Sequence, residues 1–203
     1  MTIGTMKYSK QENYLINKDK LLKKIIEKNG SIKFSNKDNN YFHELVGIVI
    51  SQFISTRAAE SIKNKILDHF NSIYFEPKQF EKLNISEIKN LGLSLNKAKS
   101  ILDITILFSN PKFDSNIHNL SEKELDDTLL SLFGIGPWSL SMFKLFSLGY
   151  EDIFSCKDAA LIKAMEDANM VMPNSSEDAY ERYASGWSPY RSTASIHLWR
   201  SLS

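Results

Sequence analysis

The sequence predicts an essentially all-α protein, on three observations. Apolar residues recur at three- and four-residue steps along most of the chain, the period of one helix face. Ser, Asn or Asp repeatedly stands just ahead of those runs, in two places with Glu three residues on, and Gly or Pro closes them. Alternating strand patterns bounded by hairpin turns are scarce, and Ile73–Phe75 is the best short candidate.

The elements follow in order. Residues 1–37 hold nine lysines against Glu12, Asp19 and Glu27, a local charge of +6 in a chain of net charge +1. We read 1–39 as a basic N-terminal arm or helix packing with the C-terminal helices, and 40–203 as the main core. The lysines fit the solvated face of helices, or a surface for a polyanion. From Tyr41 to Phe53, the residues Phe42, Leu45, Val46, Val49, Ile50 and Phe53 make one helical stripe. A helix over Thr56–Phe70 turns Ala59, Ile62, Ile66 and Leu67 inward, and Glu76-Pro77 breaks the pattern. Asn84 and Glu87 stand at capping-box spacing before a short helix ending at Gly92. An apolar helix over Leu95–Phe108 is stopped by Asn110-Pro111. Ser121 and Glu124 open another, running to Phe133. Gly134-Ile135-Gly136-Pro137 is then a tight turn, with Pro137 suited to the first position of a helix over 138–148. Further helices are predicted over 158–168, 176–184 and 190–202. Loops of about 3–10 residues leave no linker between domains.

Composition sets limits on function. A 42% hydrophobic content over 203 residues is enough for a packed core and excludes a mainly disordered chain. Cys156 is alone, so the chain lacks the thiolates for an iron–sulfur cluster, a structural zinc site or an internal disulfide. His43, His69, His118 and His197 are scattered without metal-ligand spacing. No apolar run reaches the ~18 residues of a membrane span, and the N-terminus has no signal-like stretch. The expectation is a soluble intracellular protein in a reducing compartment.

Two segments could carry chemistry. In Leu129–Phe146, two helices meet through the Gly134–Pro137 turn, and the second points its free N–H groups out of it. Such an end binds phosphate and can grip a nucleic-acid backbone without reading sequence. Glycines also serve any tight helical hairpin. Downstream, Asp158 precedes an apolar helix, either as an N-cap or as a carboxylate that stabilises developing positive charge.

Five ordered blocks then stand together: Leu45–Thr56 with Gln52-Phe53, Gly92-Leu-Ser-Leu-Asn-Lys-Ala98, the hairpin with Trp138, Asp158, and Trp187-Ser-Pro-Tyr190-Arg191 followed by His197-Leu-Trp199. In these blocks the chain resembles the helix-hairpin-helix base-excision DNA glycosylases, in particular their 3-methyladenine DNA glycosylase II branch. The likeness spans about residues 40–200. It implies a two-lobed helical fold with the hairpin at about 125–148. It implies a monomeric enzyme that flips an alkylated purine from double-stranded DNA and excises it, leaving an abasic site. Asp158 matches the catalytic aspartate, while Trp138, Met142 and Trp199 match positions lining the base pocket. Read from the residues alone, both tryptophans also fit core positions at helical spacing. Gln52-Phe53 matches the side chains that fill the gap left by the flipped base, although Phe53 equally continues its helix stripe. Gly134 and Gly136 match the DNA-gripping turn. The backbone carbonyls of Leu130, Leu132 and Ile135 match those holding a monovalent cation, Na or K. No other cofactor is implied.

Bifunctional relatives carry lysine where Trp138 stands, and an indole cannot form their Schiff base. Lys144 lies nearly two turns away and Lys157 reads as a surface residue, so no strand cleavage is expected. Met142 replaces a pocket tyrosine, which leaves the lesion range open. The alternatives are a glycosylase for oxidised purines or uracil-type lesions, or a non-catalytic DNA-damage-binding module. The implied location is the cytoplasm and nucleoid, or the nucleus in a eukaryote.

Overall fold

The computed structural model describes residues 8–32 and 40–202, so Lys7, Lys33 and Lys37 of the basic segment lie outside the described residues. In chain order the helices are α1 (Lys10–Lys18), α2 (Lys20–Asn29), α3 (Tyr41–Ser51), α4 (Thr56–Phe70), α5 (Pro77–Phe80), α6 (Ile85–Asn90), α7 (Leu95–Phe108), α8 (Pro111–Asn116), α9 (Glu122–Leu130), α10 (Pro137–Phe146), α11 (Ala159–Asp167), α12 (Glu177–Ser185) and α13 (Arg191–Ser201). A single 3-10 turn, Ile117–Asn119, follows α8, and there is no strand among the described residues. The starts follow the local rules. Ser55, Asn84, Ser94, Ser121 and Asp158 each accept a bond from an N–H in the first turn of their helix, and Asn84–Glu87 and Ser121–Glu124 form reciprocal capping boxes.

Two compact units result. One is continuous, 38–143, and the other joins residues 1–37 to 144–203, the chain crossing between them within α10. In the outer unit α1 and α2 pack on α13, and Leu22, Ile26, Leu161, Met165, Trp187 and Leu198 share one buried cluster. Leu22 and Ile26 occupy the buried stripe of α2 while Lys23, Lys24 and Lys28 face solvent. These lysines thus form the solvated face of an amphipathic helix.

The outer unit is closed by a buried polar pair. Glu12 and His197 are 1% and 0% exposed, with Nε2 of His197 3.2 Å from Oε1 of Glu12. The Glu12 carboxylate also accepts from the backbone N–H of Ile32 and Ser9, both at 2.7 Å, and from the Ser31 hydroxyl. Burial pushes the Glu12 pKa up, but these bonds outweigh it and hold the group below the ordinary carboxylate range. Burial lowers the His197 pKa, so a neutral ring that donates through Nε2 to Glu12 fits the site.

In the inner unit α7 packs against α3 and α6, burying Leu45, Val49, Ile88, Ile101 and Ile104. Three expectations change here. The strand candidate is irregular, because the Phe75 N–H donates to Nδ1 of His43 and its ring is fully buried. The first core helix stops at Ser51, since Phe53 has φ +58 and cannot continue it. The helix before the hairpin stops at Leu130, ahead of Phe133, whose N–H is held by Asp103 instead. At the far end of α10, Gly149 at φ +73 turns the chain after Phe146.

Candidate functional site

Three local arrangements carry the candidate residues, two in the inner unit and one in the outer. The first is the turn after α3. Phe53 is a bulky residue in the left-handed region and is 102% exposed. For a phenylalanine that backbone costs about 1–3 kcal/mol, and the solvated ring makes no packing contact to offset it. Strain of this kind persists where neighbours impose it. Gln52 is half-buried, and its side-chain amide donates to the Gly134 carbonyl at 2.9 Å and to the Ser139 hydroxyl at 2.8 Å.

The second is the hairpin between α9 and α10. Gly134 has φ +76, and a Cβ there would sit 2.2 Å from the Ser100 hydroxyl oxygen, so only glycine fits between the turn and α7. Gly136 has open space around it, and its carbonyl accepts from the Leu140 N–H to begin α10. Its lack of a side chain keeps the start of α10 open. Pro137 occupies the first turn, where a missing N–H costs nothing. Trp138 is partly exposed and Met142 is 5% exposed. Leu130 ends α9, Leu132 accepts a 3.2 Å bond from the Ile135 N–H, and their carbonyls are neutral oxygens of the kind that suits a monovalent cation. Among the described residues no cluster of His, Cys, Asp or Glu could hold a metal ion.

The third is Asp158, which is 8% exposed and N-caps α11. Its Oδ1 accepts from the Leu161 N–H at 2.8 Å and from the indole N–H of Trp199 at 3.0 Å. Trp199 in turn stacks on Phe146, with centroids 5.3 Å apart and ring planes 28° from parallel. The carboxylate is thus fixed by a helix N-terminus and an aligned indole. The cap fixes the orientation of the Asp158 side chain and is compatible with the catalytic reading.

The remaining sequence candidates sort by their contacts. Lys157 forms an exposed ion pair with Glu177. Trp187 is 1% exposed and donates to Asp19 at 2.8 Å, so the Trp187–Arg191 block clasps the outer unit. Arg191 adds a two-pronged pair with Asp152, at 2.8 and 3.1 Å. The indole bond of Trp199 and the amide bonds of Gln52 were not readable in the sequence. Both link residues far apart in the chain, and only the proximity of each to a family block marks them.

This arrangement belongs to a helix-hairpin-helix base-excision repair fold. The chain is a member of the HhH-GPD superfamily of base excision DNA repair proteins, whose family model matches residues 46–189. It is 24% identical over 198 residues to the alkylbase DNA glycosidase-like protein mag2 of Schizosaccharomyces pombe, covering 95% of this chain and 93% of that protein. It is 22% identical over 172 residues to a putative DNA-3-methyladenine glycosylase of Bacillus subtilis, covering 81% of this chain but only 60% of the relative. The fold matches that of the 3-methyladenine DNA glycosylase Mag1 of Schizosaccharomyces pombe, solved with abasic DNA. The TM-score is 0.81 at 20% identity, with 95% of this chain and 96% of that one covered. No helix among the described residues is long and apolar enough to cross a membrane.

Proposed function

We propose that this protein is a monofunctional DNA glycosylase that extrudes alkylated purines of the 3-methyladenine type from double-stranded DNA and hydrolyses the base–sugar bond, leaving an abasic site. The observation that carries the reading is the nearly buried Asp158 carboxylate, oriented by the first turn of α11 and by the Trp199 indole. As the bond breaks, the base takes the electron pair and the sugar gains positive charge. The Asp158 carboxylate stabilises that charge and accepts a proton from the water whose oxygen joins the sugar carbon. An alkylated purine is already cationic and leaves readily, so little acid assistance is required. The aromatic face of Trp138 and the thioether of Met142 suit such a base through cation–π and dispersion contacts.

The other assignments follow. Phe53 fills the gap left by the base, as an exposed ring held away from its own core can. The Gly134–Gly136 turn and the start of α10 take the DNA backbone. The carbonyls of Leu130, Leu132 and Ile135 hold a monovalent cation there, and hydrolysis needs no other cofactor. The protein works as a monomer wherever the genome lies. Trp138 in place of a lysine removes the amine a strand-cleaving enzyme needs.

The test is chromatography of bases released from methylated duplex DNA. Release of 3-methyladenine or 7-methylguanine with the strand intact is the expected result. Release of 8-oxoguanine or uracil alone would move the substrate to those lesions, and binding without release would make the chain a damage-binding module.

A further inference from the structure

We propose that Lys97 and Gln52 are positioning residues that hold the Phe53 wedge in register with the hairpin, using α7 as their common beam. The proposal rests on the reading of Phe53 as the gap-filling side chain. Phe53 cannot hold itself, since its ring is fully solvated and its backbone is in a disfavoured region. The end of α3 is instead fixed from outside. Nζ of Lys97 donates to the Ile50 carbonyl at 2.8 Å, capping a helix terminus that would otherwise expose it. Burial lowers the pKa of this lysine, whose ammonium is spent on a carbonyl within its own unit. One residue before the wedge, the Gln52 amide reaches across to the Gly134 carbonyl and the buried Ser139 hydroxyl.

The same helix serves the hairpin. Lys97, Ser100 and Asp103 recur every three residues and lie along one side of α7. Lys97 bonds α3, Ser100 faces the Cα of Gly134, and Asp103 accepts from the Phe133 N–H at 3.1 Å. The wedge turn and the hairpin are thus cross-linked into one piece, so the point where DNA backbone is gripped and the point where the stack is entered keep a fixed separation. This gives a role to the Gly92–Ala98 block, which capping alone does not explain.

The experiment uses the full chain with Gln52→Ala, Gln52→Glu and Lys97→Met, a duplex bearing one alkylated purine beside 2-aminopurine, and the same lesion in a duplex with no base opposite. Each variant is expected to slow single-turnover release from the paired duplex about tenfold, with little change in duplex affinity. The 2-aminopurine signal of base extrusion should fall in parallel, and release from the unpaired lesion should stay at the wild-type rate, because no base pair has to be broken there and extrusion costs less. Lys97→Arg, still able to donate to Ile50, should restore release. Combined with Phe53→Ala, each variant should add no further loss. Equal losses on paired and unpaired lesions, or losses that multiply with Phe53→Ala, would overturn the proposal and leave the two residues merely structural. Should the wild type release no base at all, the glycosylase reading fails. The brace is then judged on the 2-aminopurine signal, and an unchanged signal in Gln52→Ala overturns it.

Discussion

Asp158 and Phe53 sit in different units and are held in opposite ways. Asp158 is nearly buried, and its own oxygen makes the bonds that orient it. Phe53 is fully exposed, and its orientation is imposed through the backbone by the side chains of Gln52 and Lys97. A group that performs chemistry can be anchored by the atoms it reacts with, because a carboxylate accepts several bonds at once. On the proposed reading, a ring that enters a base stack must leave its face bare, so neighbours carry the cost of placing it. Preorganisation has therefore been built twice here, once by direct bonding and once by scaffolding.

The contrast can be broken most severely at Asp158. Asp158→Asn keeps a side-chain oxygen for the cap, so the fold and the binding of abasic DNA should survive. Base release should fall by roughly 10²–10⁴-fold, and a rate near wild type in single-turnover assays would remove Asp158 from the chemistry. Trp199→Phe comes next, since it keeps an aromatic stack on Phe146 but deletes the donor to Oδ1. We expect a loss of roughly 10- to 100-fold in the chemical step with unchanged duplex affinity, the worth of one bond to a charged group. Phe53→Gly sharpens the other side. Release from paired duplex should drop about tenfold. Thermal stability should hold, or rise by up to about 1 kcal/mol, because glycine accepts the left-handed backbone freely. A fall in Tm would mean that the ring packs after all.

The smallest effect concerns the closure of the outer unit and depends on pH. His197 has a lowered pKa, so the folded state prefers the neutral ring and its contribution is complete above the unfolded value of about 6.5. It is lost as the pH falls below that value. Glu12 is also lowered, so its contribution holds above about 4.5 and is lost on further acidification. Both act in the same direction, and Tm measured at pH 5 should lie about 2–4 °C below that at pH 7.5. His197→Gln should flatten this upper part of the curve, and an unaltered pH dependence would show that the pair does not couple to folding.

The sequence was legible where bonds are local. The limits of α4 and α7 are those its apolar period predicts, and the boxes at Asn84–Glu87 and Ser121–Glu124 stand at their three-residue spacing. Asp158 was readable as a cap for the same reason. Phe53 stood open between a gap-filling ring and a continuation of the α3 stripe, because a positive φ leaves no mark on a pattern of residue types. Gln52 and Gly134 are 82 residues apart, and Trp199 and Asp158 are 41 apart. No periodicity connects such pairs. The family resemblance points to the residues in each case, but their hydrogen bonds exist only in the folded chain.

The interrupted outer unit has a consequence for synthesis on the ribosome. Its early helices α1 and α2 emerge long before α13, the surface they pack against, while the stretch 38–143 is uninterrupted. The central segment can therefore condense first, whereas Leu22 and Ile26 stay uncovered until α13 has been made. In that interval the lysines interspersed with them on α2 can act as gatekeepers, their charge opposing association of the uncovered stripe.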